Sequence, residues 1–471
     1  PDLVWVKSRL STASHNIIDK VRGDDNYLMS NSTAAEDDSY ADVLELKSDG
    51  YTVGSNNSAF SGTNGNIGWA WDAGEANTSV SADGLNSTVY NKSSTWSGSN
   101  NASTGPVKTE SGSYYSGGYD AKWLFDGRSS YMVMSTSAGH WIEWTPADSA
   151  ASDGGAEEDF TFTDTVEVEL YDATNSVNFT ITYSDDTTST TEVSSTGWTT
   201  IATGGGVLKK LKAESTNTSS GWNYWSGVKI DGKQLVDDDQ SVEPTIPTIA
   251  STYRANPSAG FSIVTYEGDG SNGTVAHGLN ATPNLIIIKN RDSATSWPVY
   301  HSDIGIGSYG VLEDTSAWDT GSATYIFNTA PTSNVFGIGT GTWVNTDGTE
   351  YVAYCWSEVE GYSKFGSYTG NGNDDGPFVW CGFRPRWLLI KNSATSADWQ
   401  LYDTTRETEN VMNTILSPAS TAAESSAEGY KIDLLSNGFK PRYNYAGHNG
   451  SGNTLVFAAF AESPFKYANA R

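Results

Sequence analysis

Cysteine, basic residues and long apolar runs are all scarce in this chain. Only two cysteines occur among 471 residues, Cys355 and Cys381, which excludes a disulfide scaffold but leaves a single bridge open. Lys and Arg number 27 against 56 Asp and Glu. The net charge of −29 argues against nucleic acid as a partner, because binding phosphates needs clustered cations. No apolar run approaches the roughly 20 residues that cross a bilayer, so we expect no membrane insertion.

Glycine and aromatic residues are abundant instead. The chain has 48 glycines, 17 tryptophans and 25 tyrosines but only 4 methionines. Such a composition favours strands and turns over helices. Hydrophobic residues make up 37%, which suits several small β domains better than one compact enzyme. The composition therefore predicts an all-β, multidomain protein of β-sandwiches.

One unit of sequence occurs three times. Each copy opens on a proline that is followed six residues later by a lysine, and each closes on an aromatic-rich strand. The openings are Pro1–Lys7, Pro283–Lys289 and Pro385–Lys391, and the closing strands are Ile67–Trp71, Tyr351–Trp356 and Leu455–Phe460. These spacings predict three like-folded β modules in which the three lysines have equivalent surroundings.

The first and second copies are much further apart along the chain than the second and third. This difference predicts a domain inserted after the first copy. Its alternating strands, such as Val166–Leu170 and Val177–Tyr183, are typical of a half-buried β-sandwich. The predicted organisation is module one at 1–75, a linker at 76–105, the inserted sandwich at 106–240, a linker at 241–259, module two at 260–362 and module three at 363–471.

A segment ending in a glycine-rich turn precedes the second and third copies. These segments, Tyr266–Gly270 and Tyr368–Gly372, lie at the same distance before the proline of their module. The first copy begins at Pro1 without one. We therefore expect module one to be N-terminally truncated in this sequence and to lack one strand.

Several motifs of the modules and of the insert form a recognisable set. In the modules they are Pro1–Arg9, Asp19–Gly23, Ser48–Gly54, Trp69–Asp72, Tyr253–Pro257, Gly260–Val264, Lys289–Arg291 and Ser436–Phe439. In the insert they are Leu124–Gly127, Gly197–Ile201 and Val228–Asp237. The modules resemble a repeat of marine and cyanobacterial phage structural proteins, labelled tail-fibre-like or lectin/glucanase-like. The insert is similar to a galactose-binding jelly roll.

This resemblance implies a virion protein of β-sandwich fold, often assembled as a trimer. It implies no particular ligand and brings no catalytic residues to this chain. The second copy departs from the pattern, because His301 stands where the other copies have the aspartate of an Asp-x-x-Arg pair. Those pairs, Asp19 with Arg22 and Asp403 with Arg406, are interpreted as local ion pairs rather than as ligand contacts.

Aromatic residues in the Gly/Ser/Asn-rich loops are the candidate ligand-binding residues. They are Trp96, Tyr114, Tyr115, Trp222, Tyr224 and Trp225. Aromatic rings stack on the apolar faces of sugars while neighbouring amides bind hydroxyls. The same rings are also typical of subunit interfaces, so both interpretations stay open.

Metal and catalytic sites have weaker support. The acidic clusters Asp185–Asp186, Asp237–Asp239 and Asp374–Asp375 offer oxygen ligands for calcium, but none has the spacing of a calcium loop. The histidines occur singly, at His15, His140, His277, His301 and His448, without zinc or base–nucleophile spacing. No pair of carboxylates is singled out for glycoside hydrolysis. The sequence predicts no catalytic residue, no metal site and no cofactor.

These observations predict a non-enzymatic structural protein of the virion surface or the extracellular space. The favoured function is a phage tail fibre or tail-associated adhesin that binds host glycans through the insert. We expect it to contact other virion proteins and to form a homo-oligomer, with a trimer favoured. The alternatives are a capsid decoration or head-fibre protein and a polysaccharide depolymerase. Glycan binding without product release would distinguish an adhesin from an enzyme.

Overall fold

The computed structural model divides the chain into two compact units. Unit 1 comprises Pro1–Val80 and Ile249–Arg471, and unit 2 comprises Ser81–Thr248. The residues that the structure describes are 1–39, 44–54, 65–82, 84–87, 107–109, 124–125, 133–135, 141–145, 160–171, 176–216, 223–237, 246–321 and 325–461. Nearly all of the regular structure is β, which confirms the predicted multidomain all-β fold.

Strands are numbered along the chain, and the first seven belong to unit 1. They are β1 Leu3–Ser8, β2 Asn16–Asp19, β3 Gly23–Met29, β4 Leu44–Lys47, β5 Gly50–Val53, β6 Asn66–Trp71 and β7 Asn77–Val80. Unit 2 contributes β8 Gly84–Ser87, β9 Val107–Thr109, β10 Val133–Ser135, β11 Trp141–Trp144, β12 Phe160–Phe162, β13 Thr165–Leu170, β14 Val177–Tyr183, β15 Thr188–Val193, β16 Gly197–Thr203, β17 Gly206–Ser215, β18 Asn223–Ile230 and β19 Lys233–Asp237.

Unit 1 then continues with the strands of the second and third modules. They are β20 Ser251–Asn256, β21 Phe261–Glu267, β22 Gly273–Ala276, β23 Leu285–Asn290, β24 Pro298–His301, β25 Gly310–Val311, β26 Val335–Ile338, β27 Glu350–Trp356, β28 Ser363–Thr369, β29 Val379–Trp380, β30 Pro385–Asn392, β31 Gln400–Asp403, β32 Thr414–Ile415, β33 Ser425–Ser426, β34 Ile432–Leu435, β35 Gly438–Pro441 and β36 Thr454–Ala461. A 3-10 turn at Glu428–Tyr430 and a short helix α1 at Ala446–Asn449 complete the unit.

Three sheets of unit 1 share one pattern of strand pairing. Their strand orders are β3-β2-β1-β6, β25-β24-β23-β27-β21-β20-β7 and β28-β36-β30-β31. In each sheet, the opening strand of the repeat lies between two antiparallel neighbours. One is the strand that comes next in the sequence, and the other is the aromatic closing strand. The equivalent residue sets are Leu3 with Asp19 and Trp71, Leu285 with His301 and Trp356, and Trp387 with Asp403 and Phe460.

The three sheets bury one face each in a common central core. Trp71 of the first sheet has its ring centroid 6.1 Å from that of Trp356 in the second and 5.7 Å from that of Phe460 in the third. The opposite face of each sheet packs on a separate core of its own module. Both faces of the opening strands are therefore buried, which explains why their sequences are continuous apolar runs.

The repeat's lysines, Lys7, Lys289 and Lys391, occupy equivalent strand positions, as the spacing predicts, although Lys391 differs from the other two in its carbonyl partners. All three are fully buried, and each ammonium group donates to two backbone carbonyls at 2.5 to 3.3 Å. Burial lowers the pKa of each to about 8. A buried cation needs such partners, because an unpaired one costs several kcal/mol.

Hydrogen bonds connect the three modules in cyclic order. The amides of Glu36, Trp318 and Glu424, each belonging to one module, donate to the carbonyls of Arg291, Ser393 and Arg9 of the next. The first module thus contacts the second, the second contacts the third and the third contacts the first. A ring of three subunits has this type of contact, and here it forms within one chain.

Unit 2 is a sandwich of two six-stranded sheets. One sheet has the order β16-β13-β18-β19-β8 with β10 beside β18, and the other has β15-β14-β17-β11-β9 with β12 beside β17. Val166, Val168 and Leu170 point into the core between them, while the intervening glutamates lie on the outer face. The alternation in the sequence therefore correctly predicts which side chains of this strand face the core.

The two segments that were predicted as linkers also contribute strands. β7 and β8 lie within 76–105, and β20 lies within 241–259. β7 and β20 pair with each other and extend the second sheet of unit 1. Cys355 and Cys381 are both buried and free, so the bridge left open by the sequence is not formed. Burial raises the pKa of the Cys381 thiol to about 12.

Candidate functional site

The six aromatic residues that were predicted to bind ligand do not form a described site. Trp96, Tyr114, Tyr115 and Trp222 lie outside the described residues, and only the backbone of Tyr224 is described, in β18. Trp225 is 2% exposed in the core of unit 2, where it contacts Phe179, and its indole N–H donates to the Gly227 carbonyl at 3.0 Å. Trp225 is thus a core residue and is removed from the predicted set.

Another tryptophan of unit 2, Trp198, lies on the outer face of its sheet. It is partly exposed on edge strand β16, directly opposite Glu169 of β13, which in turn lies opposite Gly227 of β18. A Cβ atom on Gly227 would come within 2.8 Å of the Trp198 ring. The indole therefore lies flat across three strands, in space that only a glycine at 227 leaves free.

A lysine lies over this ring, and other polar side chains lie beside it. The Lys229 ammonium group is over the ring face, 4.2 Å from the centroid, and Lys229 is cross-strand from Glu167 and Gln234. Thr200, which is exposed, donates to the Glu167 carboxylate at 3.3 Å. We call Trp198, Thr200, Glu167, Lys229 and Gln234 the Trp198 platform. It combines one apolar ring face with donors and acceptors on the same side of a rigid sheet.

Glu169 lies between Trp198 and Gly227 in the strand pairing. Its carboxylate accepts a hydrogen bond from Ser226 at 3.0 Å, and Ser226 is the extra residue of a β-bulge between β13 and β18. Burial raises the pKa of Glu169, with the Ser226 hydroxyl and Lys229 opposing that rise. Bulges often redirect a side chain at a functional site, and this one directs a hydroxyl onto the carboxylate.

The outer face of the opposite sheet of unit 2 is different in character. Trp141 also has a lysine beside its ring, Lys212 at 5.4 Å, but that lysine is paired with Glu214 at 2.6 Å. A second pair joins Lys210 to Glu143 at 3.4 Å. Such a row of exposed ion pairs is typical of a solvated surface.

A cleft of about 280 Å³ lies in unit 1, between its first and third sheets. It is lined by Ile67, Gly68, Trp69, Ala70, Trp71, Tyr362, Arg386, Trp387, Asp403, Thr405, Phe460 and Ala461. The indole N–H groups of Trp69 and Trp387 are buried there without a hydrogen-bond partner among the described residues. Unit 1 also exposes an aromatic pair, with Trp380 60% and Phe378 46% exposed.

The acidic clusters that were proposed for calcium make other contacts where they are described. Asp185 accepts hydrogen bonds from Thr187, and Asp186 pairs with Lys209. Asp374 accepts from the Asn444 amide, while Asp375 pairs with Lys440 and Arg442. Within the described part of the chain, no three His, Cys, Asp or Glu side chains are grouped to hold a metal ion. Nor does any helix in that part have the length and apolarity to cross a membrane.

The Asp-x-x-Arg pairs and the buried histidines are structural. Asp19–Arg22 and Asp403–Arg406 are almost completely buried ion pairs at contacts between modules, which agrees with their interpretation as ion pairs. The four described histidines, His15, His277, His301 and His448, are buried, and burial lowers the pKa of each. His140 lies outside the described residues.

The fold and these surfaces define a multidomain all-β protein with an inserted β-sandwich. The chain belongs to the family described as Domain of unknown function (DUF7483), whose model matches residues 1–116 and 155–464. No curated protein matches the sequence. A solved structure described as truncated AlyQ with CBM32 and alginate lyase domains is similar at 10% identity and a TM-score of 0.19, covering 75% of this chain and 95% of that chain.

One expectation from the sequence is corrected by this comparison. The prediction that the chain is not an enzyme is wrong as an exclusion, because the similar structure contains an alginate lyase domain. At a TM-score of 0.19 the likeness assigns no activity to this chain. The function has to be argued from the surfaces themselves.

Proposed function

We propose that this protein binds carbohydrate, and that unit 2 holds the sugar on the Trp198 platform. The observation that carries the proposal is the flat, partly exposed indole of Trp198, with Lys229 4.2 Å from its ring centroid. A pyranose ring offers an apolar face of C–H groups for stacking and equatorial hydroxyls at its rim. Pockets that bind small molecules combine an aromatic surface with a few placed polar groups in the same way.

The platform divides these two tasks between its residues. Trp198 supplies the stacking surface, and the sheet beneath it keeps the ring in place before a ligand arrives. Lys229 supplies a donor for ring or hydroxyl oxygens, and Glu167 and Thr200 supply acceptors for sugar hydroxyls. Because the ring is already ordered, little conformational entropy is lost on binding.

We also propose a biological setting for this binding, the surface of a virion. The resemblance of the modules to phage tail-fibre-like repeats supports a virion-surface adhesin, in which the cyclic core of unit 1 is the scaffold and unit 2 contacts host glycans. Several copies on one particle would add avidity to individually weak sites. Locating the chain on intact particles by labelled antibody, before and after tail removal, tests this setting and separates a tail from a capsid position.

The binding proposal is tested by an array of neutral and acidic oligosaccharides probed with the full chain and four variants, Trp198→Ala, Trp141→Ala, Gly227→Val and Trp380→Ala. Trp198→Ala removes the platform, whereas Trp141→Ala removes a tryptophan of the opposite sheet that also has a lysine near its ring. We expect Trp198→Ala to weaken binding about tenfold or more and Trp141→Ala to leave it unchanged. Gly227→Val should act like Trp198→Ala, because its side chain would lift the indole.

Three outcomes would contradict this proposal. They are equal losses for Trp198→Ala and Trp141→Ala, unchanged binding by Trp198→Ala, and a loss confined to Trp380→Ala, which would move the sugar to the exposed aromatic pair of unit 1. Circular dichroism of each variant checks that unit 2 remains folded. Oligosaccharides released from bound polymer are measured in the same samples, because release would show the depolymerase alternative.

A further inference from the structure

The exposed aromatic pair of unit 1, Phe378 and Trp380, lies on the third module. Trp380 is 60% exposed and Phe378 46%, whereas Val379 between them and Cys381 after them are buried in the core of the module. Because side chains alternate along an extended segment, this pattern places both rings on the outer face. Two neighbouring rings left in solvent gain none of the stabilisation that burial gives, which is typical of a binding surface.

The second module shows that the fold does not need a tryptophan at this position. Trp380 of β29 pairs with Gly438 at the start of β35. The corresponding pair of the second module joins Ala276 of β22 to Val335 at the start of β26. An alanine completes the same strand pair there, so the packing of the module does not explain the exposed indole of Trp380.

In both modules a glycine follows two residues later, and an aromatic ring lies against it. Gly382 has a φ of +85° and Gly278 a φ of +70°, a backbone conformation that glycine adopts without strain. A Cβ atom on Gly382 would come within 3.1 Å of the Trp380 indole, and one on Gly278 would clash with the ring of Tyr253. The indole of Trp380 is therefore held against the backbone before a ligand arrives, which reduces the entropy lost on binding.

Paired charges border the aromatic pair. The Lys364 ammonium group lies 6.0 Å from the centroid of the Trp380 ring and pairs with Glu358 at 2.8 Å. A second pair joins Lys440 of β35, the strand beside Trp380, to Asp375 at 2.9 Å. The border of the two rings thus offers hydrogen-bond donors and acceptors, and the positive charges are matched by carboxylates.

The size of this patch favours a small ligand over a protein. At their observed exposures the two rings offer roughly 250 Å² of surface. A standard protein interface covers about 800 Å² on each partner, and its centre is depleted of charged side chains. A sugar needs far less area, because its apolar face stacks on one ring and its hydroxyls reach the polar groups beside it.

We propose that Phe378 and Trp380 form a second carbohydrate site, on the third module, that binds neutral sugars. The ligand class rests on the function proposed for the Trp198 platform, but the residues are separate from it, because they lie in unit 1. Trp380 stacks on one sugar ring, Phe378 contacts the next ring of the glycan, and Lys364 with Glu358 binds hydroxyls. A sugar carboxylate would meet Glu358 and Asp375 as well as the lysines, so a neutral glycan is preferred.

The inference is tested by affinity electrophoresis of the full chain in gels that contain hydroxyethyl cellulose, galactan or mannan. Gels with polygalacturonate give the acidic comparison. The variants are Trp380→Ala, Trp198→Ala and the double variant, and the control Tyr325→Ala removes another aromatic residue of unit 1 that is 50% exposed. We expect Trp380→Ala to weaken retention by a neutral polymer about fivefold or more, Tyr325→Ala to leave it unchanged and the double variant to lose most.

Urea denaturation of the same variants separates binding from folding. The midpoint should be the same for Trp380→Ala as for the unchanged chain, because the second module forms with an alanine at this position. A lowered midpoint together with lost retention would make Trp380 a structural residue and overturn the inference. A dimer by light scattering that Trp380→Ala dissociates would also overturn it, because the patch would then contact a second copy of the chain.

The electrophoresis has outcomes that contradict the inference directly. They are retention by none of the neutral polymers, unchanged retention of Trp380→Ala, equal losses for Trp380→Ala and Tyr325→Ala, and retention by polygalacturonate alone. The function proposed for unit 2 fails separately. If Trp198→Ala is retained like the unchanged chain and binds the oligosaccharide array equally well while Trp380→Ala loses retention, the third module alone carries the sugar site.

Discussion

One strand position holds a buried ion pair at the contact between the first and second modules, whereas the equivalent position at the contact between the second and third holds a neutral histidine. Asp19 pairs with Arg22 at 2.6 Å with neither side chain exposed, and the Tyr354 hydroxyl of the second module donates to Asp19 at 2.8 Å. At the equivalent position, the ring of His301 contacts the Phe457 carbonyl of the third module at 3.2 Å. The Asp303 amide donates to its other ring nitrogen, Nδ1, so Nε2 carries the proton.

The contact between the third and first modules again has a buried ion pair at this position. Asp403 pairs with Arg406, and Glu424 of the same module pairs with Arg9 of the first module at 2.9 Å. The same strand position therefore accepts either a complete ion pair or a neutral imidazole. What the position requires is that the buried carboxylate or imidazole has polar partners, and Asp19, Asp403 and His301 each have them.

The largest effect is expected where one partner of a buried pair is removed. Arg22→Met leaves Asp19 without its buried cation and Glu36 with Arg291 as its one remaining partner, since Arg22 pairs with both carboxylates, at 2.6 and 2.7 Å. We expect a loss of about 4 kcal/mol in the free energy of unfolding of unit 1. Urea denaturation followed by tryptophan fluorescence measures this loss. The control is Lys47→Met, which breaks an exposed pair with Glu45 and should cost under about 1 kcal/mol. Equal costs for the two variants would contradict the comparison.

A smaller effect is expected when the neutral His301 position is changed to carry the ion pair of the other two modules. His301→Asp alone buries a carboxylate without a cation and should cost about 3 kcal/mol in the same denaturation experiment. Ile304 stands where the other copies have the arginine, so the double variant His301→Asp, Ile304→Arg rebuilds the pair and should recover part of that loss. If the double variant is less stable than His301→Asp alone, the positions are not interchangeable.

The smallest effect concerns pH, because the modules bury neutral histidines. Burial lowers the pKa of His277 to about 4 from 6.5, so between these values the unfolded chain binds more protons than the folded one. The contribution of His277 is complete above pH 6.5 and decreases as the pH falls, by about 1.5 kcal/mol between pH 6.5 and pH 5. Denaturation at both values should show a smaller difference for His277→Gln, and an unchanged difference would contradict this assignment.

The repeat could be predicted from sequence because its signal is local. The offset from Pro1 to Lys7 recurs unchanged at Lys289 and Lys391, and each run of apolar residues is short enough to be one strand. Alternation in Val166–Leu170 likewise depends only on the two-residue period of a strand. These features need no knowledge of which strands pair.

The sites could not be predicted in the same way, because they depend on pairing between distant segments. Gly197–Ile201 was noted as a motif, but Trp198 becomes a platform only because Gly227 lies two strands away. β7 and β20 occur in polar segments predicted as linkers, and each is stabilised by a partner strand rather than by its own sequence.

The cyclic arrangement of three modules within one polypeptide has a consequence for how this protein can vary. In a homotrimer every substitution appears at all three contacts, so a change tolerated at one must be tolerated at each. Three modules joined in one chain are free of that constraint, and the assembly of their ring does not depend on protein concentration. His301 could therefore replace an aspartate at a single contact, and a whole sandwich could enter the chain after one copy only.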